Sequence, residues 1–346
     1  MKRKTIYTGL AMLYLMTLSV LFSSCEHKDL CYQHPHVKTL RVEFDWRDAP
    51  DASPKGMCVY FYPTEGGGGQ RFDFKGTTGG EVELRVGTYR VMCYNNDTEA
   101  VLFHGTDGFD THGGYTREGN VLEPIYGNGA NYAPRAEGTE DERVVITPDM
   151  MWGCTATEVE VTDTGISYVC VPESEREDWS GKPAVSTEQV ITLYPHELVC
   201  TYTYEVRNVK NLKHATQMCG SLSGMAPSLL FGDESLGTEC VTIPFESVSD
   251  GVSTITGRFY TFGHHEENTA PHRMTFYVVM DDGKKYAYGT DAGERFNVTG
   301  QVHDAPDKRH VHIIIDGLDL PQPIENGSGF DVSVDDWEVV EEDIVM

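Results

Sequence analysis

The sequence predicts an all-β protein made of two tandem β-sandwich domains. Nearly every apolar segment alternates apolar and polar side chains with a period of two, which is typical of half-buried strands. The 35 glycines and 16 prolines divide the chain into short segments. Helical periodicity is limited to one short segment, 212–222. Many short strands separated by turn signals indicate sandwiches.

Four stretches carry the alternation most clearly. Their apolar positions are, in chain order, Leu40, Val42, Phe44 and Trp46, then Val82, Leu84 and Val86, then Leu198, Cys200, Tyr202, Tyr204 and Val206, and finally Met274, Phe276, Val278 and Met280. Gly87 is expected to turn the chain into a further strand over 89–94. Asp282 and Gly283 are a type I′ turn signal between two strand-like runs, so a hairpin is expected there.

The domain organisation follows from one break in this pattern. Residues 172–188 are rich in Glu, Ser and Pro without any period, and we predict that they form a linker. The first sandwich is then expected over 37–171 and the second over 189–340, both of ordinary domain size, with an acidic tail at 341–346. The Gly-, Asn- and Ala-rich stretch 126–143 is expected to be a long surface loop of the first domain.

The N-terminus has the pattern of a secretory signal peptide over residues 1–24. Basic residues at positions 2–4 precede an uncharged apolar run, 6–22, which ends in small residues. The apolar run is at the short limit for crossing a bilayer, so a retained transmembrane anchor is the less favoured alternative.

Two serines directly before Cys25 resemble the lipobox of bacterial lipoproteins. In that family the cysteine thiol is acylated and the preceding peptide is removed. Phe22 departs from the aliphatic residue that is commonest at its position, while Leu21 stands one place early. The resemblance implies a lipid on Cys25 and a lipidated tether over 25–36. The alternative is an ordinary cleaved signal peptide with an incidental cysteine.

The residues after the cysteine carry a candidate export signal, formed by Glu26, His27, Lys28 and Asp29. Bacteroidota lipoproteins that reach the outer face of the outer membrane often have an acidic patch at this place, and the present sequence resembles them. We therefore expect a protein that is lipid-anchored in the cell outer membrane and faces outward.

The net charge excludes one class of partner. The formal charge of −27 becomes −30 when residues 1–24 are removed, because three positive charges and no negative charge leave with them. A protein of this charge repels phosphate backbones and anionic headgroups, so we expect no nucleic acid partner. Lipid, rather than a basic surface, must then hold the protein at its membrane.

Nine cysteines are present, and acylation of Cys25 leaves an even number. The eight are Cys31, Cys58, Cys93, Cys154, Cys170, Cys200, Cys219 and Cys240. In an exported chain they permit up to four disulfides, whose connectivity the sequence does not fix. Burial as small hydrophobic side chains is the alternative for those within apolar runs. No C-x-x-C spacing supports zinc or thioredoxin-like redox chemistry.

Fragments that resemble catalytic motifs each lack a required residue. The segment 220–224 has Leu222 where the nucleophile motif G-x-S-x-G needs serine. The segment 196–200 has Cys200 where a zinc protease helix needs its second histidine. Acidic residues adjacent in a strand point to opposite faces, so they rarely form a catalytic pair. The sequence therefore predicts no enzyme and no cofactor.

His310 and His312 are the one weak candidate pair for a metal. They flank Val311 in a predicted strand, so both imidazoles face the same side. An exposed strand face is the favoured alternative, and we predict no metal site. The histidines that could approach them from a neighbouring loop are His264, His265 and His272. Calcium at acidic loops stays open, although no EF-hand spacing exists.

Four segments of the chain are characteristic when taken together: Cys25–Cys31, Phe44–Trp46, Tyr94–Thr98 and Phe330–Trp337. They resemble an uncharacterised family of Bacteroidota surface lipoproteins that is related in layout to fimbrillin-like proteins. The resemblance spans nearly the whole chain and implies two transthyretin-like β-sandwiches. It also implies that many members become pilus shaft, tip or anchor subunits by donating a strand to a neighbour.

In several fimbrillin-like proteins, an arginine-directed protease opens the groove that accepts the strand. Arg117 and Arg135 lie in irregular segments where such a protease could cut. The candidate donor is the segment 331–346, which would satisfy an unpaired edge and an apolar groove at once. Its apolar positions are Val332, Val334, Trp337 and Val339. The alternative, that residues 330–340 are the last strand of their own domain, stays open.

The sequence thus predicts a non-enzymatic outer-membrane surface lipoprotein that acts in adhesion or as a pilus-associated anchor or accessory subunit. Its partners would be the outer membrane, through the lipid, and pilin subunits or host or glycan ligands. The alternative is a surface glycan-binding lipoprotein of a polysaccharide-uptake system. Any exposed members among the 18 tyrosines, 14 phenylalanines and four tryptophans could stack on sugars.

Overall fold

The computed structural model describes residues 37–129, 132–162, 166–169, 184–185, 189–291, 293–322 and 337–340. The backbone alone is described for 166–169 and 184–185. The described residues from Lys38 onward belong to one compact unit.

The described chain is almost entirely strands. The first twelve are β1 (Val37–Phe44), β2 (Gly56–Pro63), β3 (Gln70–Lys75), β4 (Gly80–Arg85), β5 (Gly87–Asn95), β6 (Val101–His104), β7 (Gly113–Thr116), β8 (Arg143–Val144), β9 (Trp152–Val161), β10 (Ile166–Val169), β11 (Ala184–Val185) and β12 (Val190–Leu193). The others are β13 (His196–Glu197), β14 (Cys200–Lys210), β15 (Ala215–Met225), β16 (Ser228–Leu230), β17 (Val241–Glu246), β18 (Val248–Ser249), β19 (Ile255–Thr261), β20 (Met274–Met280), β21 (Lys285–Tyr288), β22 (His310–Asp319) and β23 (Glu338–Val339).

Among the described residues, helices are few and short. They are α1 (Glu123–Tyr126), a 3-10 helix (Leu212–His214) and α2 (Thr299–His303). Within the described part of the chain, no helix has the length and hydrophobicity needed to cross a membrane.

The first sandwich packs two five-stranded sheets face to face. One sheet has the order β11-β10-β12-β1-β4, and the other has the antiparallel order β13-β9-β5-β2-β3. The alternating apolar residues of β1 and β4, such as Val42 and Leu84, meet Val59, Phe61 and Val91 of the facing sheet. The alternation of apolar and polar residues along these strands therefore buries one face of each sheet between the two sheets.

The second sandwich packs a four-stranded sheet, β18-β19-β14-β22, against a six-stranded sheet, β23-β21-β20-β15-β17-β8. Its core joins Tyr202 and Tyr204 of β14 to Phe245 and Phe276 of the larger sheet. The two sheets therefore confirm the second predicted sandwich, and the prediction of an all-β protein is confirmed.

Both sandwiches are covered again on an outer face. The three-stranded sheet β16-β7-β6 lies over the outer face of β2 and β5, where Tyr60, Tyr94 and Phe231 pack together. Residues around α1 lie over the outer face of the six-stranded sheet, where Leu122 contacts the cluster that contains Tyr277.

This second layer corrects the expectation of half-buried strands for part of the fold. All seven residues of β20 are buried, and so are seven of the eight residues of β2, because a further layer covers their outer faces. The strands β1, β4 and β22 alternate between buried and more exposed residues, as expected.

The predicted short helix at 212–222 is wrong. Only Leu212–His214 turns as a 3-10 helix, and β15 occupies the rest as an inner strand between β20 and β17. Met218 and Leu222 contact the core of the second sandwich, whereas Cys219 between them contacts the outer cluster. Pairing on both sides thus overrides a local helical spacing.

The predicted hairpin at Asp282 and Gly283 is present, but its turn differs from type I′. Gly283 has a φ of 83° and its N–H donates to the carbonyl of Met280 at 3.0 Å, whereas Asp282 has no positive φ. A three-residue loop with glycine in the left-handed position is the structure that results.

The stretch 126–143, expected as a surface loop of the first domain, instead packs on the second sandwich. Ala133 belongs to the outer cluster, and the carbonyl of Pro134 accepts a hydrogen bond from Tyr277 at 2.9 Å. Arg135 donates to the hydroxyl of Thr242 at 2.6 Å. Small residues here, such as Ala133 and Ala136, allow close approach to the sheet, while most of the described residues of the stretch are exposed, as expected of a surface loop.

The predicted domain limits stay a prediction. The structure shows in addition that strands from each half of the sequence pair within the sandwich of the other half. β12, placed by the prediction after the linker, pairs in parallel with β1. β13 pairs with β9 in the same sandwich, and β8 pairs in parallel with β17 of the other one.

Candidate functional site

The first candidate site is the edge of the six-stranded sheet at β21. One side of β21 pairs with β20, and the other pairs in parallel with β23, where Tyr286 faces Glu338 and Ala287 faces Val339. The N–H of Val340 donates to the carbonyl of Ala287 at 3.2 Å. Within the described residues, the C-terminal segment therefore holds this edge through a two-residue strand and one further backbone hydrogen bond.

Trp337 supplies an aromatic side-chain contact that helps to hold this segment. Its ring meets Tyr277 edge to face, with centroids 5.4 Å apart and an interplanar angle of 80°. The indole is half-buried and packs on the outer cluster beside Val144 and Ile125. Burial raises the pKa of Tyr277, so its hydroxyl stays protonated and donates to the carbonyl of Pro134.

Of the four predicted donor-strand residues, Trp337 and Val339 are described, and they differ in burial. Val339 is 49% exposed, while the neighbouring Val340 packs against the core of the second sandwich. Val332 and Val334 lie outside the described residues. The segment 337–340 is thus seen in the position of a last strand of its own sheet, and its capacity to enter another subunit stays a prediction.

The predicted membrane-anchoring residues also lie outside the described part of the chain. This applies to Cys25 and to the candidate export signal at Glu26, His27, Lys28 and Asp29. Lipid attachment at Cys25 therefore stays a prediction.

His310 and His312 share an exposed face of β22, as the sequence indicated. The Nδ1 and Nε2 atoms of His310 lie 2.9 Å from Asp307 and 3.1 Å from Glu197. His312 contacts the hydroxyl of Thr203 at 2.9 Å. Each histidine thus has its own polar neighbours, and the two are not joined by a third ligand.

Two of the other candidate histidines are buried away from that face. His264 and His272 form a ring cluster with His303, with centroids 4.8 to 5.4 Å apart. Tyr202, which points into the core, bonds Nδ1 of His264 at 3.0 Å. Across the described ranges, no set of three or more His, Cys, Asp or Glu side chains is arranged to hold a metal ion.

The six described cysteines are free thiols, and one pair is in contact. These cysteines are Cys58, Cys93, Cys154, Cys200, Cys219 and Cys240. Cys93 and Cys154 are opposite each other in the β5–β9 register, with their Sγ atoms 3.4 Å apart in the core. Burial raises the pKa of Cys58 to about 12, so this thiol is inert.

Both candidate protease sites are held by hydrogen bonds. Arg117 forms an ion pair with Glu123, and its carbonyl accepts from the N–H of Ile146. Arg135 donates to the carbonyls of Thr139 and Glu142. Cleavage at either arginine would first require local opening of these contacts.

A second candidate site, which sequence reasoning missed, is a cleft of about 870 Å³ between the two sandwiches. One wall comes from the loop after β1 and the starts of β9 and β13, and the other from β14, β19 and the start of β22. Trp152, Tyr260 and Arg258 line it together with His310. These residues are far apart in sequence, so only the fold brings them together.

Comparisons with known proteins agree with this architecture. The sequence profile described as Domain of unknown function (DUF5119) matches residues 24–246. A protein of Bacteroides ovatus strain ATCC 8483, named as fimbrium anchoring subunit Fim4B, is 26% identical over 268 residues, which cover 78% of this chain and 69% of the relative.

A solved structure shares the fold at low sequence identity. A Bacteroides ovatus ATCC 8483 protein described as an adhesin superposes with a TM-score of 0.53 and 20% identity, covering 87% of this chain and 99% of that one. The fimbrial anchor protein Mfa2 of Porphyromonas gingivalis covers 81% and 91% of the two chains at 13% identity, but its TM-score of 0.42 supports no argument about this protein.

Proposed function

Since the chain belongs to the family Domain of unknown function (DUF5119), its role has to be inferred from fold and relatives, and we propose that it is a fimbrillin-like protein of the cell surface. It acts in adhesion or as an anchor or accessory subunit of a pilus. The expectation of a family of unknown function with a fimbrillin-like layout is confirmed.

The observation that carries the proposal is the relative named as a fimbrium anchoring subunit, which is similar over 78% of this chain. The adhesin fold, shared over 87% of the chain, supports the same class of function. The proposed role is structural and non-enzymatic, since the two β-sandwiches serve as rigid modules that present edges and loops to partners.

The edge at β21 supplies a physical route to a pilus partner. Few backbone contacts hold β23 there. Its release would leave backbone N–H and C=O groups of β21 unpaired and would expose the apolar site beside Tyr277 that Trp337 occupies. An incoming strand from another subunit would satisfy both features at once. In this proposal the released segment 331–346 is in turn available to a neighbour.

Removal of the C-terminal segment tests assembly. In the source cells, deletion of residues 331–346 should abolish SDS-resistant ladders that contain this protein, whereas deletion of the acidic tail 341–346 alone should preserve them. Ladders that persist unchanged without residues 331–346 would exclude the segment from strand exchange.

Anchoring at the outer membrane is proposed to depend on a lipid at Cys25. Replacement Cys25→Ala should remove the protein from the membrane fraction and from surface labelling of intact cells, because no acyl chain can then be attached. Cys31→Ala is the matched control and should behave like the parent. Equal membrane retention of both variants would contradict lipid anchoring through Cys25.

A further inference from the structure

The cleft between the sandwiches has the size of a ligand site. Its volume of about 870 Å³ falls within the range of small-molecule sites in proteins, roughly 300 to 1,000 Å³. Both sandwiches contribute to its walls, which places it where binding sites commonly occur. Ala49, Pro50 and Ala52 line part of the cleft with small side chains, which leave its interior accessible.

Two aromatic side chains give the cleft apolar surfaces. Trp152 and Tyr260 are both half-buried, one on each sandwich. Tyr260 is fixed by Arg258, whose Nη2 donates to the hydroxyl at 2.7 Å while the guanidinium lies 5.4 Å from the ring centroid. The indole N–H of Trp152 has no hydrogen-bond partner among the residues that the structure describes, so a ligand could accept from it.

Several charged groups of the cleft are already paired. Arg309 donates to Glu234 at 2.8 Å, and His196 lies 2.7 Å from the other oxygen of the same carboxylate. His310 is placed between Asp307 and Glu197. The cleft thus offers donors and acceptors, while its lining has more acidic than basic side chains, with Asp48, Asp51, Glu197 and Asp307 against Arg258 and Arg309.

The backbone at Glu234 is strained in a way that favours this arrangement. Its φ is 56°, in the left-handed region, where the other non-glycine residues among those described are Asn208 and Asn211. Asparagine tolerates this conformation, whereas glutamate adopts it at an energetic cost. The contacts of the carboxylate with Arg309 and His196 hold the residue in this strained conformation.

We propose that this cleft binds a neutral saccharide through stacking on Trp152 and Tyr260 and hydrogen bonds to the paired charged side chains. Sugars combine apolar C–H faces with hydroxyls that both donate and accept, which matches this lining. Asp48, Asp51 and Glu197 would repel acidic sugars and phosphates. An acyl chain would leave the ion pairs facing hydrocarbon, which is costly.

The sequence suggested glycan binding as an alternative function but indicated no site for it, and this proposal assigns it to the cleft. It rests on the adhesive part of the proposed function, since a saccharide on a host or neighbouring cell is a ligand for an adhesin. Anchoring and pilus assembly do not depend on it.

The test uses the full-length protein purified in mild detergent. An array of neutral and acidic glycans identifies ligands, and isothermal titration calorimetry with the best neutral oligosaccharide measures affinity for the parent and all variants. Trp152→Ala and Arg258→Ala should each weaken binding by about tenfold or more. Tyr132→Ala, at a side chain that is 87% exposed outside the cleft, is the matched control and should bind like the parent.

Circular dichroism and thermal unfolding establish that each variant is folded, and Trp152→Phe should retain part of the affinity because stacking survives. No binding of neutral glycans at millimolar concentration would overturn the proposal, and so would equal affinity of all variants. Selective binding of acidic glycans or of peptides at this cleft would also overturn the assigned class. None of these results bears on the lipid at Cys25 or on ladder formation, so the two proposals can fail separately.

Discussion

His112 lies fully buried between two tyrosine hydroxyls, with Nδ1 2.7 Å from Tyr62 and Nε2 2.9 Å from Tyr94. Burial, and to a smaller extent His104 and Arg71, lowers the pKa of His112 to about 4. The imidazole is therefore neutral at physiological pH, where it can donate to one hydroxyl and accept from the other.

Two further histidines behave in the same way. Burial and the neighbouring histidines lower the pKa of His264 to about 4. Burial also lowers the pKa of His272 to about 4, although its bond to the carbonyl of Ser223 opposes the shift. At neutral pH all three side chains stay uncharged within apolar surroundings, and only acid forces a charge on them.

Acid should destabilise the protein well before its carboxylates are protonated. The unfolded histidines take up protons near pH 6.5, but the folded ones only near pH 4, so each lowers the unfolding free energy by up to about 1.4 kcal/mol per pH unit as pH falls between these values. Thermal unfolding between pH 7 and 4 measures this effect.

A variant separates the histidine contribution from other acid effects. His112→Gln keeps polar groups beside both tyrosines but cannot titrate, so its stability should fall less steeply with acid than that of the parent. His312→Gln, at an exposed position, is the control and should follow the parent curve. Identical slopes for His112→Gln and the parent would show that His112 does not govern the response.

At the scale of elements, local alternation was sufficient to predict strands but not their surroundings. Leu40, Val42 and Phe44 occupy the core as the pattern required, since a period of two fixes which side of a strand is apolar. The burial of Thr275 and Tyr277 on the other face of β20 depends on α1 and the stretch around Ala133, which are distant in sequence.

The miss at 212–222 has a related cause. Apolar residues at helical spacing were present, but a position between two strands of a six-stranded sheet decides the conformation. The cleft was equally out of reach, because Trp152 and Tyr260 carry no local signal that distinguishes them from core aromatics.

The terminal strand β23 should depend strongly on Trp337, in addition to the packing of Val340 on the core. Trp337→Ala removes the edge-to-face contact with Tyr277 and should cost roughly 2 kcal/mol of the free energy that holds the segment on β21. Hydrogen exchange at residues 337–340 should accelerate strongly, while β14 and β20 remain protected.

The control for this variant lies two residues away. Val339→Ala changes a side chain that is about half exposed. The free energy of opening of the segment, measured from hydrogen exchange, should therefore change by less than about 0.5 kcal/mol. If both variants gave the same exchange rates, the indole would not be the group that retains β23.

At the scale of the whole molecule, an aromatic cluster joins the two halves of the sequence. Phe231, next to β16, packs 5.0 Å from the ring of Tyr94 and 6.1 Å from that of Phe103. Leu198, Val199 and further residues from both halves belong to the same cluster. The sandwiches therefore share one apolar core in addition to their own.

Phe231 should couple the unfolding of the two sandwiches. The parent is expected to melt in a single transition, whereas Phe231→Ala should lose about 3–5 kcal/mol and split the transition in two. Calorimetry distinguishes these outcomes. Val311→Ala, within the second sandwich alone, should lower the melting temperature without such splitting. A single transition in Phe231→Ala would place the coupling elsewhere.

The contact between the thiols of Cys93 and Cys154 makes the oxidation state of this pair depend on the compartment in which the protein matures. Directly opposed residues of an antiparallel pair have a Cα separation that suits a disulfide. Under reducing conditions both side chains stay free thiols, whereas oxidants in a cell envelope would convert them to a disulfide. The bond would lower the mass of the protein by two hydrogen atoms, and intact-mass spectrometry before and after reduction would reveal whether it had formed.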